Sequence, residues 1–201
     1  MATRRTVDRP VGVLLTPGAG ASSDHPSLVA LDATLSGHGF AVRRVDFPYR
    51  LAGRRVPDRQ PVLVGAVQEA AAAFAAELGV GTERLALGGR SMGARMCSIA
   101  VAEGLPAAAL VLISYPLHPP GRPEQLRTAH FPEITVPSLF VSGDRDAFGS
   151  PDELLAATRR IRGRVRHVWI EGGDHGLRRR DGAVAAAVDE WLRTGSAAQG
   201  A

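Results

Sequence analysis

Six short runs of β-branched and aliphatic residues alternate with longer stretches rich in alanine and leucine, and this alternation restricts the fold more than any other feature of the chain. The candidate strands are 11–16, 40–47, 84–88, 108–114, 138–142 and 166–170; the candidate helices are 27–36, 61–78, 92–103, 151–161 and 183–192. Strands and helices that take turns, at about 30 residues per pair, build a parallel sheet covered by helices on both faces. Most of the apolar runs lack polar–apolar alternation, as strands buried on both faces do. Pro61 and Pro151 stand where a first helical turn tolerates proline. No repeat or change of composition divides the 201 residues. The expectation is one α/β domain over 1–201, a mostly parallel sheet of about six strands flanked by helices, with its core at 11–192 and a frayed small, polar tail at 194–201. Two stretches, 49–60 and the proline-rich 115–137, fit no element and are long enough to be functional loops over the carboxyl edge of the sheet.

Composition removes several chemistries. All 24 basic residues are arginine. Without lysine there is no P-loop nucleotide site and no Schiff-base or pyridoxal chemistry. The single cysteine, Cys97, excludes an internal disulfide framework and reads as a small buried hydrophobe. The net charge of +4 comes from arginines spread along the chain, with clusters at 54–55, 159–166 and 178–180, which describes a solvated surface. Aromatic residues are sparse around those clusters, so no nucleic-acid partner is expected. The arginine pair at positions 4 and 5 suggests an export signal, but the apolar run 11–15 is too short for one and ends at Pro17. No run approaches the roughly 18 apolar residues of a membrane span. The expectation is a cytoplasmic protein without a membrane partner.

The chemistry concentrates where one strand turns into a helix. Gly88-Gly89-Arg90-Ser91-Met92-Gly93 follows the strand at 84–88 and opens the helix at 92–103, which is Gly-x-Ser-x-Gly in strand–turn–helix context. Such an elbow strains the serine backbone, and only very small residues two before and two after it let strand and helix approach closely. Gly89 and Gly93 supply that space, and the turn leaves the Met92 N–H facing the place where an oxyanion would form. The alternative is a plain glycine-rich turn with an exposed hydroxyl. A serine nucleophile needs a histidine base and an orienting carboxylate, in the chain order Ser, Asp, His. Gly143-Asp144-Arg145-Asp146 follows one later strand and Gly172-Gly173-Asp174-His175-Gly176 follows the next. Asp146, deeper in its loop, is preferred as the acid over Asp144, which hugs the strand end and would satisfy loop N–H groups. The alternatives are a surface histidine for His175 and a helix cap ahead of Pro151 for Asp146.

A second oxyanion donor is sought in Thr16-Pro17-Gly18-Ala19-Gly20-Ala21 after the first strand, with Ala19 first and Gly20 next; Ser22, Ser23 or Asp24 would cap the following helix. The same loop, with Asp46 closing the second strand, is similar to a dinucleotide-binding fingerprint. Ser23 stands at its third glycine position and Pro17 occupies the tight turn. His25, Arg90 and His118 are candidates for contact with substrate, against solvated loop histidines and an ion-paired helix-start arginine. No histidine pair has metal-ligand spacing and Cys97 lies mid-helix, so no zinc is expected, and a serine nucleophile with a histidine base requires neither metal nor organic cofactor.

These residues carry a resemblance. Gly-Gly-Arg-Ser-Met-Gly around Ser91, the Gly-Asp-Arg-Asp-Ala-Phe-Gly loop, Gly-Asp-His-Gly and Pro-Gly-Ala-Gly after the first strand resemble the α/β-hydrolase superfamily. Tyr-Pro-Leu-His-Pro-Pro-Gly-Arg-Pro-Glu-Gln-Leu-Arg, residues 115–127, is similar to a small dienelactone-hydrolase-like branch, related to a testis-expressed eukaryotic protein and to a subunit of a histone-acetyltransferase complex. The resemblance spans 11–192. It implies an α/β-hydrolase fold without a lid domain, nucleophile Ser91, acid Asp146 and base His175. True dienelactone hydrolases use a cysteine nucleophile, so their substrate does not carry over. The expected function is a serine hydrolase acting through an acyl-enzyme on an ester or thioester of a small-molecule acyl substrate. The alternatives are a non-catalytic scaffold of the same fold, with 49–60 and 115–137 as a partner surface, and a dinucleotide binder.

Overall fold

The computed structural model describes residues 9–194, in which six strands form one sheet. They are β1 Gly12–Thr16, β2 Ala41–Arg44, β3 Leu85–Arg90, β4 Ala109–Ile113, β5 Ser138–Gly143 and β6 Val165–Ile170. The order across the sheet is β2-β1-β3-β4-β5-β6, and every neighbouring pair is parallel. The helices are α1 Pro26–Gly37, α2 Pro48–Leu51, α3 Gln60–Glu77, α4 Met92–Ala102, α5 Pro151–Thr158 and α6 Asp181–Arg193.

Side chains alternate along each strand and so feed two cores. On one face, α1 and α6 set Leu28, Leu31, Leu35 and Val188 against Val13, Leu15, Val111 and Ile113. On the other, α3, α4 and α5 set Val67, Phe74, Met96 and Leu154 against Leu14, Leu87, Leu110 and Leu112. Each such side chain, fully buried, contributes about 1.5–3 kcal/mol.

All the expected strands and helices are present, most with ends shifted by one or two residues. Strand β2 is shorter than expected, ending at Arg44, because the chain beyond it turns into α2, with Pro48 in its first turn. Helix α2 occupies part of 49–60, and a 3-10 turn, Phe131–Glu133, lies within 115–137. Helix α5 ends at Thr158, whose hydroxyl turns back onto the Leu154 carbonyl at 2.8 Å. The tail expected to fray lies, beyond Thr194, outside the described residues. No helix among the described residues is long and apolar enough to cross a membrane.

From β1 the chain steps one way to β2, then crosses back over β1 to β3 and continues outward to β6. The loops after β1 and β3 therefore diverge at the carboxyl edge, and such a switch point is where open α/β sheets form a crevice.

Two histidines sit inside this framework. His130 Nε2 meets Ser98 Oγ at 2.8 Å, and His167 lies between Phe140 and Trp169 with its Nε2 3.0 Å from Thr158 Oγ1. Burial pushes both imidazoles down from the ordinary value, each to about 4, with the Arg95 charge adding to the effect at His130. The unfolded chain then binds more protons than the folded one between pH 6.5 and about 4, so their contribution to stability is present above that window and declines as pH falls through it. Thermal melts from pH 7.5 to 5 should show the melting temperature falling below about pH 6.5. The fall should be smaller in His167→Phe, which keeps the ring stack; an identical fall in that variant would refute this assignment.

Candidate active site

Strand β3 delivers Ser91 onto the N-terminus of α4 at φ 52°, ψ −114°, a conformation that costs a non-glycine residue about 1–3 kcal/mol. The bend is possible because β3 and α4 press against the end of β1. A Cβ on Gly89 would run into the Thr16 carbonyl and hydroxyl, and one on Gly93 would run into Thr16 and lie 2.6 Å from the Pro17 carbonyl. Neither position admits alanine without moving backbone. The Ser91 N–H donates to the Ile113 carbonyl of β4 at 2.8 Å, which ties the bend to the sheet.

Ser91 is the N-cap residue of α4, yet its side chain caps nothing. A serine there ordinarily accepts from a first-turn amide, a bond worth about 1 kcal/mol. Here Oγ lies 2.8 Å from His175 Nε2. On the far side of the ring, His175 Nδ1 is 2.8 Å and 3.0 Å from the two carboxylate oxygens of Asp146. A carboxylate only accepts, so Nδ1 carries the proton and Nε2 is left to accept from the serine hydroxyl. Asp146 is 4% exposed, and its Oδ1 also accepts from the Phe148 N–H at 2.8 Å. The Phe148 ring stacks on the imidazole, with centroids 3.9 Å apart.

Asp144 makes no hydrogen bond or ion pair with the histidine, which pairs with Asp146. The expectation that its carboxylate would satisfy loop amides does not hold: its buried Oδ1 has no hydrogen-bond partner. The N-cap ahead of Pro151 is Ser150, in a capping box with Glu153, so Asp146 has no capping duty. The acid and histidine loops meet backbone to backbone, with the Arg145 N–H donating to the Gly173 carbonyl at 2.9 Å and Gly143 leaving no room for a Cβ beside Gly173.

Of the expected oxyanion donors, Ala19 and Met92 both line the cleft above Ser91, and no described residue accepts from either N–H. Gly20 lines the cleft too, but its N–H donates to Tyr49 Oη at 3.1 Å and is not free for that task. The capping expectation for α1 is also corrected: its N-cap residue is His25. Ser23 instead donates through its N–H and hydroxyl to Asp46, at 2.8 and 2.9 Å, which occupies the carboxylate a dinucleotide ribose would need.

The three candidate substrate contacts separate. His118 is 4% exposed and does not line the cleft; its Nδ1 is 2.8 Å from the Pro119 carbonyl and its Nε2 3.4 Å from a Glu153 oxygen. His25 and Arg90 do line it. Arg90 Nη2 donates to the carbonyls of His175 and Gly176 at 2.8 and 2.9 Å, and Nη1 lies 3.1 Å from His25 Nε2. Since guanidinium has no acceptor, His25 Nε2 accepts there, and its Nδ1 lies 2.8 Å from Ser27 Oγ and 3.3 Å from the Ser27 amide nitrogen at the start of α1. Burial, then the Arg90 charge, holds the His25 imidazole below its ordinary value. Arg90 itself is pulled down by burial, opposed by the charges of Asp181, Asp174 and Asp146. The sequence carried no sign that Arg90 would hold the histidine loop, nor that Phe148 would stack on His175; Phe148 stands two residues after Asp146 and had only that nearness as a signal.

Cys97 behaves as expected. It is fully buried, its thiol 3.4 Å from Thr16 Oγ1 and from the Gly88 carbonyl, and burial pushes its pKa up to about 12. Among the described residues, no three His, Cys, Asp or Glu side chains come together to hold a metal ion.

Residues 9–198 match the family model described as Alpha/beta hydrolase domain, and the chain belongs to that family. Solved structures of the same fold include Est1E from Butyrivibrio proteoclasticus with ferulic acid bound, at 19% identity and a TM-score of 0.75, covering 95% of this chain and 92% of that one. A dienelactone hydrolase from Anabaena variabilis aligns at 20% identity and TM-score 0.73, over 92% of this chain and 87% of its own. An alpha-beta serine hydrolase homologue from Coxiella burnetii aligns at 17% identity and TM-score 0.74, over 90% and 88% respectively.

Replacing Arg90 by methionine leaves the His175 and Gly176 carbonyls and His25 Nε2 without their donor, and should lower stability by about 2 kcal/mol in a urea titration. A change below about 0.5 kcal/mol, the usual effect of a surface substitution, would show that the clamp is not a structural support.

Proposed function

We propose that the protein is a serine hydrolase of ester-type bonds, carboxylic ester or thioester, working through an acyl-enzyme. The observation that carries this reading is the continuous hydrogen-bonded array from Ser91 Oγ through His175 to Asp146. Membership of the α/β-hydrolase family and the likeness to a ferulic-acid-bound Est1E and a dienelactone hydrolase support it.

His175 Nε2 takes the hydroxyl proton as Ser91 Oγ bonds to the substrate carbonyl carbon. The electron pair of the carbonyl moves onto its oxygen, which the Ala19 and Met92 amides hold, assisted by the positive end of α4. Asp146 keeps the imidazole in the accepting tautomer and stabilises the imidazolium that forms. When the oxyanion collapses, the alcohol or thiol leaves with the proton from His175. A water, deprotonated by His175, then attacks the acyl-enzyme; its collapse returns the proton to Ser91 Oγ and releases the acid. No step requires a metal or an organic cofactor.

A fluorophosphonate probe should label the folded wild type at Ser91 and leave Ser91→Ala unlabelled. Asp146→Asn reverses the tautomer preference and should reduce kcat on p-nitrophenyl acetate by about 10³–10⁴-fold. A folded wild type that neither labels nor turns over activated esters would overturn the proposal in favour of a non-catalytic scaffold.

A further inference from the structure

The cleft above Ser91 encloses about 690 Å³ and is lined by three arginines, Arg90, Arg95 and Arg127, and by no aspartate or glutamate. Arg90 is bound to the histidine loop, as described above. The other two carry charge that nothing around them balances. Arg95, one turn along α4 from Ser91, donates through Nη2 to the neutral Gln60 side chain, and its buried Nε has no partner. The Arg127 side chain makes no ion pair or hydrogen bond with any described residue, although its backbone is fixed: its N–H donates to the Leu117 carbonyl at 2.8 Å and its carbonyl accepts from Tyr115 Oη at 2.8 Å. Burial pulls the Arg95 guanidinium down from its ordinary value; the Tyr115 hydroxyl opposes this, and the Arg127 charge adds to it. Two like charges held on one half-enclosed cleft repel each other, and an anion between them would remove that repulsion.

We propose that the substrate of this site carries an anionic group, a carboxylate or a phosphate, which Arg95 and Arg127 hold while Ser91 addresses the ester carbonyl. The inference rests on the reading of Ser91 as nucleophile for its catalytic part and on the paired guanidiniums for its binding part. Guanidinium suits this task because its planar fork of donors matches both oxyanions and stays charged when partly buried. The neutral lining beside them, Ala19, Met92, Pro116 and Phe148, suits the carbon skeleton between anion and ester.

Two matched ester pairs test the catalytic part: mono-p-nitrophenyl glutarate against p-nitrophenyl pentanoate, with charge on the acyl side, and 4-acetoxybenzoate against its methyl ester, with charge on the leaving group. With spontaneous hydrolysis subtracted, the charged member of at least one pair should show a kcat/KM higher by about tenfold or more, mostly through KM. That preference should collapse in Arg127→Gln and in Arg95→Gln. Millimolar glutarate or inorganic phosphate should raise the melting temperature of the wild type and not of either variant, a readout that does not depend on catalysis. No charge preference in either pair with Ser91 still labelled by fluorophosphonate, or a preference that survives in Arg127→Gln, overturns this inference and leaves the hydrolase reading standing. Absence of labelling with anion stabilisation intact overturns the hydrolase reading and leaves the anion site standing; absence of both overturns both.

Discussion

Everything at the carboxyl edge depends on how closely β3 and α4 approach the end of β1. At Gly89 and Gly93 the distance to Thr16 and Pro17 is backbone contact, with no volume left for a methyl group. That contact forces the Ser91 turn into positive φ and lifts its hydroxyl clear of the helix it begins. The energetic consequence is modest: about 1–3 kcal/mol of backbone strain and about 1 kcal/mol of unused capping. Two well-filled cores, one on each face of the sheet, offset that readily, and strain of this size persists only where surrounding structure over-determines it. The hydrogen bond from Ser91 N–H to β4, and the buried Thr16 hydroxyl on the Gly88 carbonyl at 3.0 Å, are part of that over-determination.

The histidine is positioned by a different means. Leu177 anchors its loop in the core beside α1 and α6, and the imidazole end is held by the Asp146 carboxylate, by the Phe148 face and by the two carbonyl bonds to Arg90. Arg90 immediately precedes Ser91 in the chain, so the two partners of the Ser91–His175 bond are referenced to one short piece of backbone. A shift of the strand end would carry the clamp and the serine together. This is a physical reason for a geometry near 2.8 Å to be kept in the absence of substrate.

How much of this could be read from the residues depended on whether a feature is local. The strands and helices were legible because hydrophobic periodicity and proline positions are properties of a few neighbours, and the elbow because glycine spacing and strand–helix context are too. Ser91, Asp146 and His175 could be paired in advance because the sheet brings the carboxyl ends of its parallel strands to one edge. Gly20 was misjudged because its N–H is engaged by Tyr49, distant in sequence, and His118 because burial of 115–118, at the start of the proline-rich stretch, was not visible from its composition. The role of Arg90 was illegible for the same reason: its acceptors are main-chain carbonyls 85 and 86 positions away, and carbonyls leave no mark in a sequence.

The arginine-only composition takes on a narrower meaning in this setting. On the surface, arginine and lysine serve solubility about equally, and pairs such as Arg43–Glu77 and Arg54–Asp58 contribute little each. At the cleft the two are not interchangeable. Burial pulls both Arg90 and Arg95 down from their ordinary value, and a lysine starts about two units lower, with less margin against the same burial. An ammonium is also a compact charge on a flexible stem, without the planar fork by which Arg90 reaches the two carbonyls of the histidine loop with one nitrogen and His25 with another. Guanidinium holds the histidine loop in this way from a half-buried position, and the same fork suits the anion proposed for Arg95 and Arg127. The absence of lysine, which at first only removed reaction classes, fits a site whose scaffold calls on the cation that best keeps its charge under partial burial.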